Sequence, residues 1–158
     1  MKYTASMDTP VVVITTCTTI LFAAVIVVQY TVQETAMPSI ISLLLAGIYL
    51  FVLLLKPLYY FVDSHQLVIH RLLNNVVIER SRISTVSLLD KKEIRGTIRT
   101  FGVGGLFGYF GRFYRYGIGS MTWYATRRNH LVLIVTHDGQ KIIVTPDDTA
   151  TFISELSQ

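Results

Sequence analysis

The chain has 158 residues, 51% of them hydrophobic and only 15% charged, a balance too apolar for a disordered or highly solvated protein. Its formal charge of +4 is unevenly spread: −1 over residues 1–55, +1 over 56–90, +7 over 91–128 and −3 over 129–158. A single cysteine, Cys17, excludes an intrachain disulfide, and no metal-ligand spacing occurs, so neither a metal nor a cofactor is expected.

From Val11 to Tyr30 the sequence VVVITTCTTILFAAVIVVQY carries no charge, and its length suits a hydrocarbon core of about 30 Å at about 1.5 Å per helical residue. A transmembrane helix is expected over about 11–30. The hydroxyls of Thr15, Thr16, Thr18 and Thr19 can bond back to carbonyls one turn earlier or face a partner helix. A cleaved secretory signal fits less well: Lys2 alone makes the basic N-terminal region, Asp8 intrudes and the apolar run is too long. A second run, PSIISLLLAGIYLFVLLLK over 38–56, opens on Pro38, suited to the first helical turn, and stops at Lys56-Pro57. The connector TVQETAM is so short that the two spans are expected to form an antiparallel hairpin occupying residues 1–57. That connector has no Lys or Arg and carries Glu34, whereas Lys2 and Lys56 flank the outer ends. Both termini are therefore expected on the cytoplasmic side of a multi-pass protein.

After residue 57 the signal changes to short apolar runs broken by turn residues. QLVIHRL and VVIER flank Asn74-Asn75 and predict a hairpin. ISTVSLL, TWYATR, HLVLIVT and KIIVT predict further strands, with DKKE, Arg128-Asn129 and HDGQ as turns. Thr145-Pro146-Asp147-Asp148 reads as a helix start with a threonine cap and proline in the first turn, and Phe152, Ile153 and Leu156 give that helix one apolar face. The expected class is α+β: two membrane helices, then a mainly antiparallel β domain of about seven strands over 58–158, closed by a C-terminal helix.

FGVGGLFGYFGRF, followed by IGSMTWYATRRNHLVLIVTHDGQKIIVTPDDTATFISEL, resembles the bacterial pleckstrin-homology-like domain of small bacterial membrane proteins. The resemblance covers about residues 58–158 and implies a partly open seven-stranded barrel capped by the terminal helix, in a bacterial inner membrane. It implies no catalytic residue and no ligand, so no site is transferred from it.

Residues 101–119, FGVGGLFGYFGRFYRYGIG, concentrate glycine and aromatic rings. A phosphate cradle is disfavoured by spacing, since Phe107 stands where the third glycine of G-x-G-x-x-G would follow Gly102 and Gly104. The run is expected to fold back with its rings buried, the glycines supplying positive φ and close backbone approach. A membrane-facing alternative sets Phe107, Tyr109, Phe110, Phe113 and Tyr114 at headgroup depth, with Arg112 and Arg115 on lipid phosphates.

The dispersed His65, His70, His130 and His137 make no acid–base pair, and no nucleophile or zinc motif occurs. The expectation is a non-enzymatic membrane protein whose cytoplasmic module contacts anionic lipid headgroups or a protein partner through Arg99, Phe107, Arg112, Arg115, Arg127 and Arg128. The alternative is a self-associating homo-oligomeric scaffold without a ligand. Nucleic acid is not expected, because no recognition helix or paired aromatic strand motif is present.

Overall fold

Alternation of apolar side chains along short strands builds two sheets in the structure, a computed structural model that describes residues 1–32 and 37–157. Residues 33–36 of the expected connector lie outside the described residues. In chain order the elements are β1 (Lys2–Thr4), α1 (Thr9–Val32), α2 (Met37–Leu54), β2 (Pro57–Val62), β3 (Gln66–Arg71) and β4 (Val76–Glu79). A turn of 3-10 helix at Arg80–Arg82 leads to β5 (Ile83–Leu89), α3 (Lys91–Ile94), β6 (Ile98–Gly104), β7 (Tyr109–Arg115), β8 (Gly119–Ala125), β9 (Leu131–Thr136), β10 (Lys141–Val144) and α4 (Thr149–Leu156).

The first sheet runs β1-β2-β3-β4 and the second β5-β9-β10-β8-β7-β6. All pairs are antiparallel except β8 with β10, which run parallel because β10 enters between β8 and β9. The Asn74-Asn75 hairpin forms as expected, Ile69 pairing with Val76, and Arg71 Nε donates to the Asn74 carbonyl at 2.9 Å. The sheets do not close into the expected seven-stranded barrel. Three further strands, β1, β6 and β7, bring the described strands to ten, and the second sheet ends on the unpaired edges of β5 and β6.

One core lies between the sheets. Tyr60, Val62, Leu67, Ile69 and Ile78 of the first sheet meet Val132, Ile134, Ile142 and Val144 of the second, closed by Phe152 and Leu156 of α4. Tyr3 joins them, its ring 5.1 Å from that of Phe152. The neighbouring residues on the same strands point the other way and make a second core on the outer face: Met121, Trp123 and Ala125 of β8, Tyr109 and Phe113 of β7, Leu131 and Ile143, covered in part by Val11 of α1. The central strands are thus apolar on both faces, which is why HLVLIVT reads as a nearly continuous hydrophobic run.

The C-terminal helix begins later than expected. Asp148 caps it, accepting from the Thr151 N–H at 3.1 Å, while Thr145 serves a tertiary contact, its hydroxyl accepting from the Thr126 N–H at 3.0 Å. DKKE is α3 instead of a plain turn, with the Glu93 carboxylate accepting from the Asp90 N–H at 2.7 Å. Of the two spans expected, one is long and apolar enough to cross a membrane among the described residues, Thr9–Thr31. The apolar stretch of α2, Ile40–Leu54, is about 22 Å long at 1.5 Å per residue and falls short of a 30 Å core.

Candidate functional site

The glycine-aromatic run is neither a loop nor uniform. It forms most of β6 and β7, and its tip turns at Gly105–Gly108, where the Gly105 N–H donates to the Gly108 carbonyl at 2.8 Å. Gly102 and Gly111 face each other across the ladder. A Cβ added to either would lie 2.7 Å from the other's Cα, so the two strands approach more closely than side chains permit.

The tip docks on the helices. The Phe107 N–H donates to Thr15 Oγ1 at 2.9 Å, and its ring lies edge-on to Tyr49 of α2 at 5.0 Å. Tyr49 and Thr19 hydroxyls are 2.7 Å apart, and Thr19 also bonds back to the Thr15 carbonyl at 2.7 Å. Thr19 thus makes both contacts its position suggested. Phe107, Tyr109, Phe110 and Phe113 are buried, as the packing reading expected, whereas Phe101, Tyr114 and Tyr116 are exposed.

The basic residues divide by what their side chains touch. Arg127, 13% exposed, pairs with Asp147 at 2.6 Å and donates to the Pro146 carbonyl. Burial alone would raise the Asp147 carboxyl; bonds from Thr4 and Ser6 and the charge of Arg127 outweigh it and hold the group below the usual carboxylate range. Arg115 reaches back across the sheet, its Nε donating to the Arg95 carbonyl at 3.0 Å and Nη2 to the Lys92 carbonyl at 3.3 Å. It ties the α3 crossover to β7. These two arginines are committed to the fold.

Arg99, Arg112 and Arg128 are exposed. Arg99 pairs in register with Phe113 and so shares the outer face. Arg112 points to the opposite face, into a cleft of about 430 Å³ with Ser120, Thr122, Asp138 and Lys141. Arg128 lies over the Tyr109 ring at 4.6 Å, and its backbone N–H donates to Asp8 Oδ2 at 2.9 Å. Burial pushes the Tyr109 hydroxyl up, the Asp8 carboxylate adding to the effect and Arg128 opposing it.

Beside Arg128 a cavity of about 540 Å³ opens between α3 and the outer face of β7 and β8. Ile94, Phe113 and Trp123 line it, with Lys92, Arg95 and Arg128. Lys92 and Arg95, members of the basic stretch but outside the six residues singled out by sequence, complete it. The signal that would have found them is the capped turn D-K-K-E, which folds the crossover over the sheet. Its volume lies in the range of small-molecule sites.

A two-sheet β module ending in a helix, with basic and aromatic side chains lining its clefts, suggests a pleckstrin-homology-type binding module. The family described as bacterial PH domain matches residues 58–158, and the chain belongs to that family. No curated protein and no solved structure matches it.

Proposed function

We propose that the chain is a non-enzymatic, membrane-anchored binding module: α1 and α2 form a hairpin in the bacterial inner membrane, and the PH-type domain engages anionic groups at its cytoplasmic surface. The observation that carries the reading is the place where α1 starts. The helix presents Val12, Val13, Ile20, Leu21, Val27 and Val28 outward, an apolar surface that water does not tolerate over such a length. It begins one residue after Asp8, whose carboxylate accepts from the Arg128 backbone N–H, so the acidic Asp8 and the exposed Arg128 stand together at the point of entry. The hairpin is supported by β1: Lys2 pairs with Phe61 and Thr4 with Tyr59, so the segment between them leaves and returns on one side. A chain that crosses in α1 has to come back before β2, and α2 is the helix between them, its 18 residues reaching about 27 Å although the apolar part is shorter. Orientation follows from the Lys and Arg bias, which favours the cytoplasm for the basic module.

Membranes washed at alkaline pH should retain the full chain, and protease added outside intact cells should leave the C-terminal module uncut. Release into the supernatant or external digestion overturns the reading. A self-associating scaffold is favoured by one observation, the edge strand β6, where Ile98 and Phe101 are exposed beside unpaired backbone groups. A strictly monomeric chain in detergent would remove it.

A further inference from the structure

We infer that the cavity between α3 and the β7–β8 face is a site for one anionic phospholipid, its phosphate held by Lys92, Arg95 and Arg128 and its upper acyl chain laid on Ile94 above the floor that Phe113 and Trp123 make. This rests on the membrane-anchored reading and specifies its ligand and site.

Three observations carry it. The cations are free to take a ligand charge: none of Lys92, Arg95 and Arg128 forms an ion pair among the described residues. The apolar lining lies next to them: Ile94 is half-buried, and Phe113 and Trp123, 3% and 1% exposed, are its packed floor in the second core and stack at 4.7 Å. Trp123 is almost wholly buried, yet its Nε1–H has no acceptor among the described residues. A buried donor left without a partner is costly, and a bound ligand oxygen or its associated water is a partner it lacks. A soluble phosphate would meet the cations and leave the half-buried Ile94 in water, whereas a fatty chain alone would leave three cations unmatched; an amphiphile with a phosphate head meets both.

The source is the bilayer because of where the cavity sits. Arg128, on its rim, is fixed by Asp8 immediately before α1, and Val11 in the first turn of α1 packs in the same core as Phe113 and Trp123. A lipid moving from the leaflet along the start of α1 meets Arg128 first and the aromatic lining next. Arg115 is a positioning residue here: its bonds to the carbonyls of Lys92 and Arg95 hold the crossover that carries two of the cations.

The chain contains one tryptophan, so its emission reports this cavity. The full chain is reconstituted in phosphatidylcholine vesicles containing a minor fraction of phosphatidylglycerol, with dibrominated acyl chains on one lipid or the other. Brominated phosphatidylglycerol should quench Trp123 well beyond brominated phosphatidylcholine at equal fraction, and glycerol phosphate in solution should not relieve it. Lys92→Ala with Arg95→Ala, both exposed positions, should weaken the response about 30-fold in lipid concentration. Flotation of the same vesicles separates the two readings. A chain that fails to float sinks the anchoring and this site together. A chain that floats but is quenched equally by both lipids, is relieved by glycerol phosphate, or responds unchanged in the double variant overturns the site alone. An acidic peptide that abolishes quenching without lipid specificity overturns it in favour of a protein partner.

Discussion

Phe107 separates a packed hairpin tip from a membrane-dipping one, because the two roles give opposite signs on stability. The residue has φ of 59°, a left-handed conformation costing a side chain about 1–2 kcal/mol. Its ring is 8% exposed, between α1 and Tyr49. Truncating a buried phenylalanine to alanine costs about 3–5 kcal/mol; with α1 and α2 themselves apolar outside, the low end, about 3 kcal/mol, applies to Phe107→Ala. Phe107→Gly loses the same ring but relieves the backbone, recovering about 1 kcal/mol. The expected order is wild type, then glycine about 2 kcal/mol below, then alanine. Denaturant unfolding of the full chain in micelles, followed by Trp123 emission, measures it. If Phe107→Gly is as stable as the wild type or more so, the ring contributes nothing to packing and the docking argument fails.

Tyr60 is fully buried, its hydroxyl donating to the Tyr124 carbonyl at 2.6 Å, and burial pushes it up to about 12 from 10.0. The protonated form is the one the fold keeps, so this contribution is complete below pH 10 and is lost as pH rises toward 12, about 3 kcal/mol in all; Tyr60→Phe should flatten that alkaline limb, and an unchanged limb refutes the assignment. Arg127→Ala should lower stability by about 1–3 kcal/mol by stranding Asp147 and the Pro146 carbonyl, with lipid-dependent quenching of Trp123 unchanged, whereas exposed Arg128→Ala should weaken quenching and leave the unfolding midpoint in place.

The helices were legible because charge is absent along them, over a bilayer's length in α1 and a shorter one in α2, and most strands because apolar residues alternate between turn residues. What escaped was set by partners distant in sequence. Residues 2–4 form a strand only because Tyr59–Phe61 offer a ladder and Phe152 offers a face to Tyr3. β6 has no buried alternation to announce it, its first five residues all exposed, and the glycines that let it approach β7 are required by each other. Among the six residues singled out, Arg115 and Arg127 look no different in sequence from Arg99 and Arg128. Their acceptors are main-chain carbonyls about twenty residues away, and side-chain freedom is decided there. Thr145 and Asp148 both fit a helix cap, and the choice between them fell to Tyr60 and Thr126, which claim the threonine.

The joint between helices and module is stiff, and this bears on how a weak site works. Two residues separate α2 from β2, the Leu73 N–H donates to the Leu54 carbonyl at 2.9 Å, and the Asp8 N–H donates to the Thr126 carbonyl at 3.4 Å. With Phe107 pinned to Thr15 and Tyr49, the module is fastened at the ends of both helices. A flexibly tethered domain would gain only a raised local concentration of headgroups. A fastened one has its orientation fixed in advance, so binding a lipid does not repeat the rotational cost that weakens most encounters with a surface. Three cations beside an apolar lining then suffice for a site that a soluble PH-type domain of the same composition would have to build with more contacts. By the same reasoning, loosening the joint at Phe107 should weaken lipid-specific quenching even though that residue lies outside the cavity.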